Sequence, residues 1–449
     1  HALLIETRPQ QVMHDELVSP PKAHALRVVG LLGSGQFASV WRVDDGTPLS
    51  FCRETGGTSS NEHEFALKKC CKRTAAQERK GIEHLLEEKQ AQASLNHPAI
   101  VRLFDAFQEE EFCYFLMELC RGGDLGMLLD ATGKQPEEHA RFYGGCVVLA
   151  LRHLHSHGWI HRDLKLDNVM LDGRGYAKLA DFGYAARLEG EESRKYTMCG
   201  TDEYAPPEML RNQGRSFPSD WWALGVLIHH LIMGRTPFDA ESDDEAFDLI
   251  MDYAHGDPAK RKAAQEELRD AMAAEGASAH ACVLTSALVD ASERTRLGSG
   301  ARCRLAPLEE HAFFTSEPAW EWEALSAGRL APPPLPWDKA CPSSHARNCH
   351  GEYKIAPIAA ERAVAKWSEV PAYAPPVPAR DQHLFRSFGL EVTVPPPEVD
   401  AWRQRNGEDP RSVPPSPLLP AVKTNGLNGL PPSLTPSPES PARRPNGGA

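Results

Sequence analysis

HRDLKLDNVM, residues 161–170, is the stretch on which the reading of the whole chain turns. Asp163 stands two residues before Lys165 and five before Asn168. A carboxylate, a cation and an amide oxygen therefore fall on one short loop. A hydroxyl attacking a phosphoryl group needs these three groups. The acid orients the hydroxyl and takes its proton, the lysine offsets the phosphoryl charge, and the amide oxygen helps to hold a divalent cation. The bland alternative is a charged surface loop. What stands at fixed distances on either side weakens it.

Downstream, LADFGYAARL carries Asp181-Phe182-Gly183, 18 residues after Asp163, and GTDEYAPPE follows. SDWWALGVLIHHLIMG, residues 219–234, reads as a central buried helix whose Asp220 ties back to the loop. Upstream, residues 136–158 read as an amphipathic helix, and VRLFDAFQEEEFCYFLMELC as two strands around an acidic hairpin. EFALKKCCK is an apolar strand ending at Lys68, and GIEHLLEEKQAQAS is helical. In GLLGSGQFASVWRV, residues 30–43, Gly33 and Gly35 leave the backbone open to close approach by phosphate, which a side chain would block. A tight hairpin is the competing reading of those glycines.

These stretches together resemble the eukaryotic protein kinases. TMCGTDEY, KLDN, DWWALGVL and the late pair Phe385 and Phe388 are similar to the AGC group, over about residues 26–390. The resemblance implies an α+β, two-lobed fold: a five-strand antiparallel N-lobe with one main helix, a mostly helical C-lobe and an extended C-terminal tail. It implies ATP and Mg²⁺ as cofactors. Asp163 would be the catalytic acid, with Lys165 and Lys68 as catalytic cations. Gly33, Ser34, Gly35, Gln36, Phe37, Val40, Ala66, Lys68, Glu88, Met117, Glu118, Cys120, Asp124 and Asn168 would surround ATP, with Met117 as gatekeeper and Glu118 to Cys120 as hinge. Asn168 and Asp181 would hold the metal. Glu88 would pair with Lys68, and Glu87 is the competing assignment. Glu208 would pair with Arg296. Thr197 would be the activation-loop phosphosite, read by Arg162 with Lys195 and Arg194 as helpers. Asp124, Asp167, Asp248 and Thr201 would meet a substrate with basic residues before a serine or threonine. Ala38, Gln92 and Pro206 depart from the family's pattern, and the rival function is a pseudokinase or scaffold binding partners through the fold and a proline-rich tail.

The domain expectations are an N-terminal extension at 1–25, a catalytic domain at 26–314 (N-lobe about 26–118, C-lobe about 121–314), a tail at 315–390 and a disordered Pro/Ser-rich segment at 391–449. Residues 44–63 read as an enlarged surface loop and 239–285 as a charged insertion. Phe385 and Phe388 would dock beside the N-lobe helix. Acids outnumber bases by 62 to 49 in 449 residues, for a formal net charge of -13. That argues against broad nucleic-acid binding and suits a basic peptide partner. The 11 cysteines lack metal-ligand spacing, which reads as free thiols in a reducing compartment. No run reaches the length of a membrane span and no charged-then-apolar leader opens the chain. The expectation is a cytoplasmic protein, with the nucleus as the alternative, switched on by an upstream kinase. The chain begins at His1, which leaves its true start open.

Overall fold

The computed structural model describes residues 26–35, 38–44, 64–77, 81–190, 193–197, 199–299, 306–316 and 320–336, together with Val377, Phe385 and Phe388. The chain divides into compact units His1–Val392 and Thr393–Ala449, and every described residue lies in the first. The expectations for residues 1–25, for 45–63 and for 391–449 lie outside the described residues.

Five antiparallel strands build the smaller lobe: β1 (Arg27–Ser34), β2 (Ala38–Asp44), β3 (Glu64–Cys71), β4 (Leu103–Gln108) and β5 (Phe112–Glu118). Their order is β1-β2-β3-β5-β4, so β3 is central. Side chains alternate across a strand, and β5 shows it. Tyr114 and Leu116 pack on one face with Trp41, Val43, Phe65 and Leu67. Cys113 and Phe115 pack on the other with Cys70, Leu85 and Ala106. The second face is covered by α2 (Gly81–Ser94), which follows a short helix, α1 (Lys72–Gln77), that the sequence did not announce. The buried face of α2 runs through Leu85, Glu88, Lys89 and Gln92, a helical period that includes an acid and an amide.

The larger lobe is helical. It contains α3 (Leu125–Thr132), α4 (Glu137–Ser156), α5 (Pro207–Leu210), α6 (Phe217–Met233), α7 (Asp243–Tyr253), α8 (Pro258–Ala274) and α9 (Ala279–Leu288), with short strands β6 (Trp159–Ile160), β7 (Val169–Leu171), β8 (Ala177–Leu179) and β9 (Ala186–Arg187) between α4 and α5. α6 is buried almost all round, the pattern of a core helix. Ser216 and Ser219 form a reciprocal cap at its start, and Gly234 ends it at φ +78. The expected insertion at 239–285 is folded into the lobe as α7, α8 and α9. α8 is largely exposed and fixes itself through Met272, which is fully buried. No helix among the described residues is long and apolar enough to cross a membrane. The seven described cysteines are free thiols.

Candidate active site

The site forms where the sheet, α2 and the loops between β6 and α5 meet. β3 delivers Lys68, whose register partners are Val40 on β2 and Phe115 on β5. Lys68 Nζ donates to Glu88 Oε1 at 2.6 Å and to Asp181 Oδ1 at 3.1 Å. Glu87, one residue earlier on α2, instead lies 3.8 Å from Lys195 Nζ. A helix turns about 100° per residue, so only one of the two acids can face the strand. Burial opposes the charge on Lys68, but the carboxylates of Asp181 and Glu88 outweigh it and hold its pKa well above the ordinary lysine value. The same ammonium holds the Asp181 carboxyl down at about 2, against its own burial. Asp181 has φ +52, and Gly183 N–H donates to its Oδ1 at 3.2 Å. Phe182 is buried beside the His161 ring, with centroids 5.3 Å apart.

The catalytic loop hangs from α6. Asp220, 1% exposed, accepts from His161 N–H at 2.9 Å and from Arg162 N–H at 3.0 Å. His155 Nε2 lies 2.8 Å from the same carboxylate. Burial pushes the Asp220 carboxyl up, and the hydrogen bonds and charge of His155 bring it below the usual carboxylate range. Two backbone hydrogen bonds thus hold Arg162 at φ +70, where a non-glycine residue is strained. That turn sets Asp163. Its Oδ1 accepts from Thr201 Oγ1 at 3.1 Å and its Oδ2 from Asn168 Nδ2 at 2.9 Å. Lys165 Nζ is 3.8 Å from Asp163 Oδ2. With Nδ2 of Asn168 committed to Asp163, Oδ1 is the atom it can offer a cation. Ala180 N–H donates to Asn168 O at 2.8 Å, which ties the backbone of Asn168 to the residue preceding Asp181. An ionised carboxylate and an amide oxygen suit a hard divalent cation that keeps waters and ligand phosphates. Among the described residues no cluster of three or more His, Cys, Asp or Glu forms a protein-only metal cage.

The glycine turn covers the sheet end. Gly35 N–H donates to Ala38 O at 2.8 Å. An added Cβ at Gly33 would meet no atom of the described residues within 4 Å. Glycine there leaves the backbone open to close approach. Gln36 and Phe37 lie outside the described residues. Ala66 is buried opposite Met117. Beyond Met117, the Glu118 carboxylate pairs with Lys178 at 2.7 Å, and Cys120 follows. Burial pushes the Cys120 thiol far up.

The sequence-predicted substrate acids separate into a pair and an outlier. Asp124 is 4% exposed and caps α3, accepting from Met127 N–H at 2.8 Å. Asp167 is exposed beside it. A Cβ added at Gly126 would lie 3.1 Å from Asp124 Oδ1 and 3.7 Å from Asp167 Cγ. Asp248 is exposed on α7, with no contact to the pair among the described hydrogen bonds. Thr197 is partly buried, and Arg162 Nη1 is buried without a partner among the described residues. Sequence reasoning missed His155, which supports Asp220, and His230, whose Nδ1 lies 2.9 Å from Tyr204 Oη. It also missed Arg215. None of the three carries a local signal, because each acts through residues remote in sequence.

Glu208 Oε1 and Oε2 accept from Arg296 Nη1 and Nη2, both at 2.9 Å, a buried bidentate pair. Residues 26–304 match the protein kinase domain family. The chain is similar to "cGMP-dependent protein kinase, isozyme 1" of Drosophila melanogaster, 42% identical over 187 residues, which cover 42% of this chain and 24% of that one. It is also similar to "Serine/threonine-protein kinase N2" of Danio rerio, 34% identical over 313 residues, 69% of this chain and 28% of that one. The matches span about a quarter of the length of these curated relatives.

Proposed function

The chain belongs to the protein kinase domain family, and we propose that it is a serine/threonine kinase that moves the γ-phosphate of ATP to protein hydroxyls with basic residues before the acceptor. The observation that carries this is a pair of clusters linked by the Ala180 to Asn168 backbone hydrogen bond: Lys68 with Glu88 and Asp181, and Asp163 with Lys165 and Asn168. Two of the relatives bear serine/threonine or cGMP-dependent kinase names, which supports the class.

Each residue then has a task. Lys68, fully charged, binds the inner phosphates and is itself oriented by Glu88. Asp163 accepts a hydrogen bond from the incoming hydroxyl and takes its proton. Thr201, bonded to Asp163, fixes that carboxylate and lines the acceptor position. Lys165 offsets charge on the transferred group. Asp181 and Asn168 Oδ1 would hold Mg²⁺, which would supply charge neutralisation at the phosphates. Val40 and Ala66 wall the adenine, and the backbone of Glu118 to Cys120 reads its edge. Asp124 and Asp167 form an acidic corner for an arginine side chain, and Asp248 is a third acid, exposed on α7. Phosphate on Thr197 would find Arg162 Nη1, which has no partner among the described residues. A cytoplasmic or nuclear setting and an upstream kinase acting on Thr197 belong to the same proposal.

The test is a positional peptide library with ATP and Mg²⁺. Wild type should select arginine two and three residues before serine or threonine, and Asp167→Ala should flatten that preference. Asp181→Asn should lower turnover by about 10²-fold or more, and Thr197→Ala should lower it sharply with nucleotide binding retained. Wild-type turnover in Asp181→Asn sinks the catalytic assignment; a preference for acidic or proline-directed sites sinks the substrate assignment alone.

A further inference from the structure

Arg215 stands just before the Ser216 cap of α6 and is 3% exposed. A guanidinium so deep is ordinarily met by a carboxylate. Among the described residues Arg215 makes no ion pair. Its Nη1 donates to Arg162 O and its Nη2 to Cys199 O, while Nε and Nη2 point at Met209 Sδ. Its backbone is tied as well. Lys195 N–H donates to Arg215 O at 3.0 Å, and Arg215 N–H donates to Lys195 O at 2.8 Å.

The two carbonyls matter by where they lie. Arg162 O belongs to the peptide unit that leads into Asp163. Cys199 O lies two residues before Thr201, whose hydroxyl bonds to Asp163. Between them Gly200 is at φ +99, and a Cβ there would come within 2.7 Å of Arg162 O and 3.4 Å of Arg215 Nη1. The segments are therefore pressed together at the point where one planar side chain joins them. A link to carbonyls fixes backbone rather than rotamers, so it transmits directly to the relative positions of Asp163 and Thr201. Without Arg215, Arg162 O and Cys199 O would be joined by nothing else in the described hydrogen bonds.

We propose that Arg215 is a positioning residue for phosphoryl transfer, pinning the catalytic loop to the activation segment so that Asp163 and Thr201 stay in register. The proposal rests on the kinase function argued above. Its test uses the full chain with Arg215→Met, which keeps an unbranched apolar stem, and Arg215→Lys, which can reach one carbonyl but not both. All are assayed on a basic serine peptide with ATP and Mg²⁺, well below the melting temperature. In Arg215→Met kcat should fall about tenfold or more while the KM for ATP stays within about twofold, because the adenine and inner-phosphate contacts lie elsewhere. Arg215→Lys should fall between Met and wild type. Amide exchange over residues 193–201 should quicken in Arg215→Met. Wild-type kcat in both variants overturns the proposal. So does a loss of kcat matched by an equal loss of ATP binding in both variants, since that is a purely structural role. A wild-type chain that transfers no phosphate overturns the kinase function itself, and the pin with it.

Discussion

Gln92 shows how much one side chain can cost a fold. It sits on the buried face of α2 and is 2% exposed. Its Nε2 reaches Val101 O at 3.4 Å and Met117 Sδ at 3.3 Å, both weak acceptor geometries. Its Oε1 has no partner among the described residues. An orphaned buried acceptor costs about 1–3 kcal/mol. Methionine has nearly the same length and shape and no oxygen to bury. Gln92→Met should therefore raise the melting temperature by several degrees, taking about 2–4 °C per kcal/mol for a domain of this size. A melting temperature equal to or below wild type would show that Oε1 is satisfied after all. At the same scale the Glu208 and Arg296 pair is the opposite case, a buried charge fully matched, with each guanidinium nitrogen on its own oxygen.

At the scale of elements, the seating of α2 decides whether Glu88 reaches Lys68. α2 is held on the sheet by Leu85 and by the cluster of Cys70, Ala106, Cys113 and Phe115, and Phe385 and Phe388 complete that cluster. Phe388 meets Phe115 edge to face with centroids 5.2 Å apart. Gln108 Nε2 donates to Phe385 O at 2.5 Å, and Lys72 Nζ lies 5.1 Å from the Phe385 ring. Each ring truncated to alanine costs about 3–5 kcal/mol, and the two are close enough not to add fully. Phe385→Ala with Phe388→Ala should lower the melting temperature and turnover together; unchanged melting and turnover would mean that the rings do not seat α2. The two phenylalanines were legible because large apolar rings in a polar, proline-rich stretch call for a pocket. The motif residues were legible for a related reason: HRDLKLDN acts through spacing within one short loop, and DFG stands at a fixed 18 residues from Asp163. Arg215, His155 and His230 were not legible, since their partners are 53, 65 and 26 residues away. The choice between Glu87 and Glu88 likewise needed the rotation of α2, which two adjacent acids cannot supply. The short helix α1 was hidden by the strand-like run that precedes it.

For the whole molecule, half-buried His97 and His153 and buried His229 bear, among the described residues, on how stability follows pH. His97, at the junction between α2 and the sheet, lies tilted against His153 of α4 with centroids 4.9 Å apart, and His153 in turn lies 4.3 Å from His157. Burial, then the neighbouring His153, Arg152 and Lys178, push His97 down to about 4. Burial, then His157 and Arg152, push His153 down to about 4. His229 in α6 is also lowered to about 4, chiefly by burial, with Arg235 O 2.9 Å from its Nδ1 and Arg235, His230 and Glu275 around it. An unfolded histidine titrates near about 6.5. As pH falls through that value the unfolded chain takes up protons that the folded chain refuses, so these groups favour folding above about 6.5 and lose that contribution between about 6.5 and 4. Asp105, Asp202 and Glu203, raised by burial, act in the opposite sense at lower pH. The informative quantity is therefore a difference between variants. Calorimetric melting of wild type and of His97→Gln with His229→Gln, from pH 7.5 to pH 5, should give a steeper fall for wild type. Parallel curves would mean that these histidines take up protons alike in the folded and unfolded protein. A flatter wild-type curve would reverse the sign of the linkage.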